Sequence, residues 1–310
     1  MDNKLRVTLK GRSGALELKN PVLTASGTFG YGLEFMPYGD LTSLGGIVVK
    51  GLSLAPREGN PMPRVAETTC GMLNSVGLQN CGVEAFIREK LPQLPTEHLP
   101  VIANLYATSV GDFAELAGIL AAEPGIAALE VNISCPNVGE GGVAFGQDPN
   151  MARAVTAAVK KRAGSLPVIV KLSPNVTDIV AIAKACEEGG ADILCCVNTL
   201  TGMAVDLASR KPLLANIVGG LSGPAIKPVA LRCVWQVSRA VAVPVIGVGG
   251  VRSAEDVLEY VLAGAHAVQV GSASFTRPDA AFRIAADLPA AMEKYGVTSW
   301  NGFRGALQIA

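Results

Sequence analysis

Asn132 and Cys135 lie close together in the stretch EVNISCPNVGEGGVAFG, residues 130–146, where an alternating apolar and polar run gives way to a glycine-rich one. A free thiol titrates near pKa ~8.5, so a modest lowering by its surroundings makes Cys135 a usable general base in a chain with only two histidines. Four other apolar runs carry a polar residue near their end: Lys50 closes GGIVVK, Asn104 lies in PVIANLY, Lys171 in PVIVKLS and Asn198 closes ADILCCVN. Amides donate and accept hydrogen bonds and ammonium groups donate them, so these residues converging on one pocket would grip a polar ligand. Without such a ligand each buried polar group would cost a few kcal/mol.

Two glycine pairs add a second chemistry. Gly249 and Gly250 in GVGGVRS, and Gly271 with Ser272 in VGSASF, would let backbone N–H groups approach an anion, which implies a phosphorylated cofactor. Cys186, Cys195, Cys196 and Cys233 read as small core residues. The seven cysteines show no paired CxxC spacing, so no metal site is expected in this chain. His98 sits in a TEHLP loop and His266 at the entry of the last apolar run, away from the other candidates. The glycosylation triplet at Asn175 reads as chance.

The elements that must position these groups are short runs rich in β-branched residues: PVLTAS, GGIVVKG, PVIANLY, ALEVNIS, PVIVKLS, ADILCCVN, VPVIGVGG and AHAVQVGS. Segments with helical periodicity separate most of them, with helix starts expected at Asp148 before Pro149 and at Ser253 with Asp256 three residues on. Eight strands alternating with helices predict an α/β fold, a (β/α)8 barrel, over one domain spanning residues 1–310. An open doubly wound sheet is the rival, but no GxGxxG follows the first strand. LRVTLKG and LELKN suggest an amino-terminal hairpin, and Leu200 to Gly223 a long insertion after the sixth strand. On this fold the polar strand ends, and the glycines after the last two strands, fall at the carboxyl face where barrel enzymes work.

Composition narrows the class. The chain has 310 residues, 26 basic and 26 acidic, and no basic block, which argues against a nucleic-acid or membrane-surface role and for a small-molecule substrate. It is 49% hydrophobic, yet no apolar run reaches the length of a membrane span. The opening MDNKLRVTLKGRSG lacks the apolar core of a secretory signal, so a cytoplasmic location is expected.

The motifs ASGTFG, VVKGL, NSVGLQN, VNISCPNV, GGLSGPAIKP, GVGGV and VGSA together resemble the catalytic subunits of class 1B dihydroorotate dehydrogenases, over nearly the whole chain. SCPN followed by EGGVAFG is the part that points to class 1B. The resemblance implies a barrel that holds FMN and oxidises dihydroorotate to orotate in pyrimidine synthesis. By motif, Ser26, Lys50, Gly51, Asn104, Asn132 and Lys171 would hold FMN from the barrel interior. Val197, Gly223, Gly249, Gly250, Gly271 and Ser272 would complete the cofactor site, with Ser272 standing where threonine is common in the family. Lys50, Asn74, Ser75, Val76, Gly77 and Leu78, with Asn132, Asn198 and Thr199, would hold dihydroorotate, and the family's base aligns with Cys135.

The chemistry agrees with the resemblance. Dihydroorotate loses a proton from the carbon beside a ring carbonyl and a hydride from its neighbour, so Cys135 would take the first and FMN the second. Lys171 would stabilise negative charge on the reduced flavin, and residues 139–146 suggest a lid. Reoxidation is implied to run through a partner subunit with FAD and a 2Fe-2S cluster to NAD, in a heterotetramer built on a homodimer of this chain. Three alternatives remain: a class 1A enzyme reoxidised by fumarate, a barrel aldolase with Lys171 as Schiff base, and a non-catalytic cofactor-binding barrel.

Overall fold

The computed structural model describes residues 5–134 and 145–309. Eight parallel strands form its centre: β3 (Val22–Thr24), β4 (Ile47–Val48), β7 (Val101–Leu105), β8 (Ile126–Asn132), β9 (Val168–Leu172), β10 (Ile193–Cys196), β15 (Val245–Val248) and β16 (Ala267–Val270). Their order is β3-β16-β15-β10-β9-β8-β7-β4, and a parallel bridge from Leu23 to Gly46 joins the two ends. Hydrogen bonds from Gly45 N–H to the Val22 carbonyl (2.8 Å) and from Thr24 N–H to the Gly46 carbonyl (3.3 Å) complete the ring. This is the expected α/β barrel; seven of the strands fall within the apolar runs named from the sequence, and β8 overlaps its run but starts two residues earlier, at Ile126.

Helices cover the outside of the ring. The main ones are α2 (Val110–Ala121), α3 (Pro149–Arg162), α4 (Ile179–Glu188), α5 (Lys227–Ser238), α6 (Ala254–Leu262) and α8 (Ala280–Lys294), with short α1 (Val83–Ala85), α7 (Ala273–Thr276) and α9 (Trp300–Phe303). Their starts follow local chemistry. Asp148 accepts from the Met151 N–H ahead of α3, and Ser253 with Asp256 forms a reciprocal capping box ahead of α6. Leu129, Val131 and Ile133 are fully buried, and one hydrophobic core runs through strands and helices from Val7 to Trp300. Among the described residues no helix is long and apolar enough to cross a membrane.

The amino-terminal hairpin, β1 (Val7–Lys10) paired with β2 (Ala15–Leu18), is present as expected. Its turn docks on the amino ends of the barrel strands, where the buried Asp192 accepts from the N–H groups of Arg12 (2.8 Å), Ser13 (3.0 Å) and Val168 (2.9 Å) and pairs with Lys160. Burial opposes ionisation of Asp192, but Lys160 and these donors outweigh it and hold its carboxyl below the usual range.

The insertion after the sixth barrel strand is a folded unit rather than a plain loop. It contains β11 (Leu200–Met203), β12 (Val205–Asp206), β13 (Lys211–Pro212) and β14 (Val218–Ser222). β11 and β14 join an antiparallel sheet with β5 (Val65–Thr68) and β6 (Gly71–Asn74), in the order β11-β14-β6-β5. Sequence reading did not foresee the β5–β6 hairpin, because VAET and GMLN are too short and too mixed to carry a strand period alone. The pairing of β6 with β14, far along the chain, ties this hairpin into the larger sheet and supplies the stability that local pattern lacks.

Candidate active site

A cavity of about 490 Å³ opens at the carboxyl ends of the barrel strands, a size suited to a small molecule or cofactor. Lys50, Asn104, Asn132, Lys171 and Asn198, the polar strand ends picked out from the sequence, all border it. Ser26, Gly51 and Thr199 border it too, as does the whole segment Asn74, Ser75, Val76, Gly77 and Leu78. Cys135 lies outside the described residues, as do residues 139–144 of the expected lid. Ser134, the chain neighbour of Cys135, is on the cavity wall. The last two residues of the expected lid are fixed in the core: Phe145 is buried edge-on to Phe113, and Gly146 N–H donates to the Ile133 carbonyl at 2.8 Å.

The wall is built from facing amides. Asn198 Nδ2 donates to Asn132 Oδ1 at 3.3 Å, and Asn198 Oδ1 accepts from Thr199 N–H at 2.8 Å. Ser134 N–H also donates to Asn132 Oδ1 (3.2 Å), which ties the end of β8 to this pair. Lys50 is half-buried and pairs with no carboxylate among the described residues. Burial, and then the charge of Arg64, lower its pKa below the ordinary lysine value. An unpaired ammonium on a cavity wall is a seat for an anionic ligand group.

Below these residues runs a buried polar layer. Glu130, fully buried, accepts from Asn104 Nδ2 at 2.7 Å through Oε1 and from Gln269 Nε2 at 2.6 Å through Oε2. Lys171, 5% exposed, donates from Nζ to Gln269 Oε1 at 3.2 Å and lies 3.8 Å from Glu130 Oε1. β8 and β16 are four places apart in the closed ring, so the Glu130–Gln269 contact crosses the barrel interior. Glu130 therefore points inward, and so does Asn132 two residues on along β8. Burial, then the nearby Glu130 carboxylate, raise the Cys195 pKa well above the ordinary thiol value, as expected for a core cysteine.

The antiparallel sheet roofs one side of the cavity. Asn74 Nδ2 donates to the Gly220 carbonyl at 3.3 Å, and Asn60 Nδ2 to the Ser75 carbonyl at 2.8 Å. Asn175 links this roof to the barrel: its Nδ2 donates to the Thr199 carbonyl (2.9 Å) and its Oδ1 accepts from Thr201 N–H (2.9 Å). Sequence reading missed Glu130, Gln269, Asn175 and Arg57 as members of this region. Gln269 had a signal, a lone polar residue inside the apolar run AVQV, and Glu130 shares its strand face with Asn132. Asn175 and Arg57 sit in irregular segments where no period marks them.

Val197, Gly223, Gly249, Gly250, Gly271 and Ser272 do not border the cavity, although Ser222 and Phe275 beside them do. Val197 is buried at the end of β10, its N–H bonded to the Val248 carbonyl at 3.0 Å. Gly223 and Gly250, from separate loops, do come together. Gly250 has φ +68°, and a Cβ there would lie 2.9 Å from the Gly223 carbonyl oxygen and 2.8 Å from Lys227 Cβ. A Cβ at Gly51 would likewise come within 2.9 Å of Asn104 Oδ1. A cavity walled by amides and ammonium groups, with close-packed glycine backbone beside it, fits a flat polar cofactor with an anionic tail.

A second cavity, about 350 Å³, lies at the other end of the barrel beside Val245 and His266. Burial, then the charge of Arg304, push the His266 pKa down to about 4, so the ring is neutral near pH 7. Its place at the amino end of β16 agrees with its exclusion from the candidate catalytic groups.

Comparison with known proteins adds an independent line. A sequence pattern described as dihydroorotate dehydrogenase matches residues 7–292. The chain is 70% identical to the dihydroorotate dehydrogenase B (NAD(+)) catalytic subunit of Solidesulfovibrio magneticus, covering 96% of this chain and 97% of that one. It is 65% identical to the protein of the same description from Maridesulfovibrio salexigens, over 95% and 96% of the two chains. The Pelobacter propionicus counterpart is 60% identical over 94% of this chain and 96% of its own. With a barrel whose polar strand ends meet in one cavity and relatives this close along nearly its whole length, the chain belongs to the dihydroorotate dehydrogenase family.

Proposed function

We propose that this chain is the catalytic subunit of an NAD-linked dihydroorotate dehydrogenase, oxidising dihydroorotate to orotate in pyrimidine synthesis. The observation that carries it is the meeting of Lys50, Asn104, Asn132, Lys171 and Asn198 on one cavity wall, in a chain 70% identical to a protein of that description. The cofactor is FMN, held from the strand ends by Ser26, Lys50, Gly51, Asn104, Asn132 and Lys171. Gly223, Gly249, Gly250, Gly271 and Ser272 would hold its phosphate through backbone N–H groups, and Val197 would complete the cofactor site. FMN supplies the hydride acceptor when bound.

The chain's own residues do the rest. Lys50 binds the substrate carboxylate, which gives its unpaired ammonium a counter-ion. Asn74, Asn132, Asn198 and the Ser75–Leu78 segment match the donors and acceptors of the ring, and Thr199 closes the side next to Asn198. Cys135 accepts the proton from the ring carbon; its neighbour Ser134 stands on the same wall as the amides that orient that ring.

Electrons leave through a partner subunit with FAD and a 2Fe-2S cluster, in a heterotetramer built on a homodimer. Exposed apolar side chains on the insertion, among them Met203, Val205, Leu207 and Ile217, support a protein contact there. An anaerobic visible spectrum before and after dihydroorotate tests the central reading. A yellow protein that bleaches supports it; a colourless one trapped by borohydride on Lys171 refutes it in favour of an aldolase. Flavin that does not bleach refutes catalysis, and rapid turnover of the lone chain with fumarate refutes the NAD-linked assignment.

A further inference from the structure

We propose that Glu130 is a positioning residue that orients Asn104 and holds the Lys171 ammonium at the cavity floor. This rests on the flavin-binding reading above.

A carboxylate has no proton to give, so every group that touches it must turn a donor inward. Asn104 therefore points Nδ2 at Glu130 and leaves Oδ1 on the side of Gly51, where a Cβ would lie only 2.9 Å away. Gln269 points Nε2 at Glu130, which leaves its Oε1 as the acceptor for Lys171 Nζ. One carboxylate thus dictates the orientation of two amides, and the second amide dictates the seat of the ammonium. Glu130 and Gln269 are fully buried, and Asn104 is 1% exposed, so solvent cannot supply substitute partners. The layers inside such barrels are usually apolar. Replacing a buried ion pair by apolar residues is often neutral or stabilising, so stability alone does not account for this charged layer.

The variant Glu130→Gln keeps the shape and breaks the logic. Its Oε1 accepts from Asn104, but its amide nitrogen faces Gln269, which must flip and turn its own amide nitrogen towards Lys171. Donor then faces donor, and the ammonium has lost its carboxylate as well. The cation leaves its seat on the cavity floor.

The test uses the full chain loaded with FMN, and its readout is the equilibrium midpoint potential of the flavin rather than turnover. Lys171→Met should make reduction at least tenfold less favourable, about 30 mV for a two-electron couple. Glu130→Gln should shift it the same way by a similar factor, and the two combined should go no further than Lys171→Met alone. The exchange variant Glu130→Gln with Gln269→Glu returns a carboxylate to Lys171 and an amide to Asn104. Its potential should lie within threefold of the wild-type equilibrium. Wild-type potential in Glu130→Gln, or additive shifts in the combination, overturns the proposal. If Glu130→Gln does not fold, the exchange variant decides, and a shift as large as that of Lys171→Met overturns it. A wild-type chain that takes up no flavin refutes the underlying reading instead.

Discussion

Replacing Lys50 by methionine separates two quantities that usually fall together. Lys50 is half-buried, has no carboxylate partner among the described residues, and feels the charge of Arg64. In the free protein its ammonium is therefore a cost, whereas a bound carboxylate gives it a charge-assisted hydrogen bond. Such a bond contributes about 1.5–3 kcal/mol, or roughly 10- to 150-fold in affinity. Partial desolvation places Lys50 in the upper part of that range, so Lys50→Met should weaken orotate binding by ~50-fold or more. Folding stability should stay level or rise.

The pH dependence has a definite sign. The folded pKa of Lys50 lies below its unfolded value of ~10.4, so in the window between them the unfolded chain binds the extra proton. Lys50 thus costs stability at lower pH, and this cost fades as pH rises through the window. Orotate favours the charged form, so its binding should take up a proton in that window and weaken above it. Calorimetric orotate titrations in buffers of different ionisation enthalpy, with denaturant melts of both proteins, measure all three effects. A loss of more than about 1 kcal/mol of stability in Lys50→Met, or unchanged orotate affinity, would refute the reasoning.

Other perturbations probe separate parts of the site. Cys135→Ala should retain orotate binding and slow flavin bleaching by dihydroorotate by ~100-fold or more in stopped flow, and Cys135→Ser should keep weak activity displaced to higher pH. Gly250→Ala places a Cβ 2.8 Å from Lys227 Cβ at φ +68°, so flavin affinity, followed by fluorescence quenching, should drop at least tenfold. His266, with its pKa pushed to about 4, should cost about 3 kcal/mol of stability as pH falls from ~6.5 through that value, because only the unfolded chain takes the proton. Denaturant melts of His266→Gln should lack this loss, and an identical acid profile would show that the ring is not buried neutral.

The barrel was legible because its strands are buried on both faces and read as unbroken apolar runs. That pattern exposed Lys50, Asn104, Asn132, Lys171 and Asn198, polar residues where a run should end apolar. Their meeting in one cavity follows from the closure of the ring, which places all carboxyl ends together. The roof was not legible. The β5–β6 hairpin is tied into the sheet only through β6 on β14, and a pairing so distant leaves no local period. Glu130 and Gln269 carry a signal as polar residues inside apolar runs, but they were missed as site members because their contact spans the barrel and is set by strand order, which no single strand encodes. The glycines were visible as a composition signal, whereas the approach of Gly250 to Gly223 required the loops in place.

The roof also constrains how the cavity opens. Asn74 and Gly220, 146 residues apart, share a hydrogen bond, and the Met72–Asn74 edge is zipped to Gly220–Ser222. β6 is held on its other edge by β5 and β14 by β11, so the four strands behave as one cooperative unit with a single opening free energy. Amide hydrogens of β6 and β14 should exchange in step, and a proline that breaks the ladder in β14 should release the substrate segment Asn74–Leu78 although it touches none of those residues in sequence. Entry and departure of a ligand on this side are then governed by one leaf, hinged on two distant stretches of chain, rather than by two independent loops.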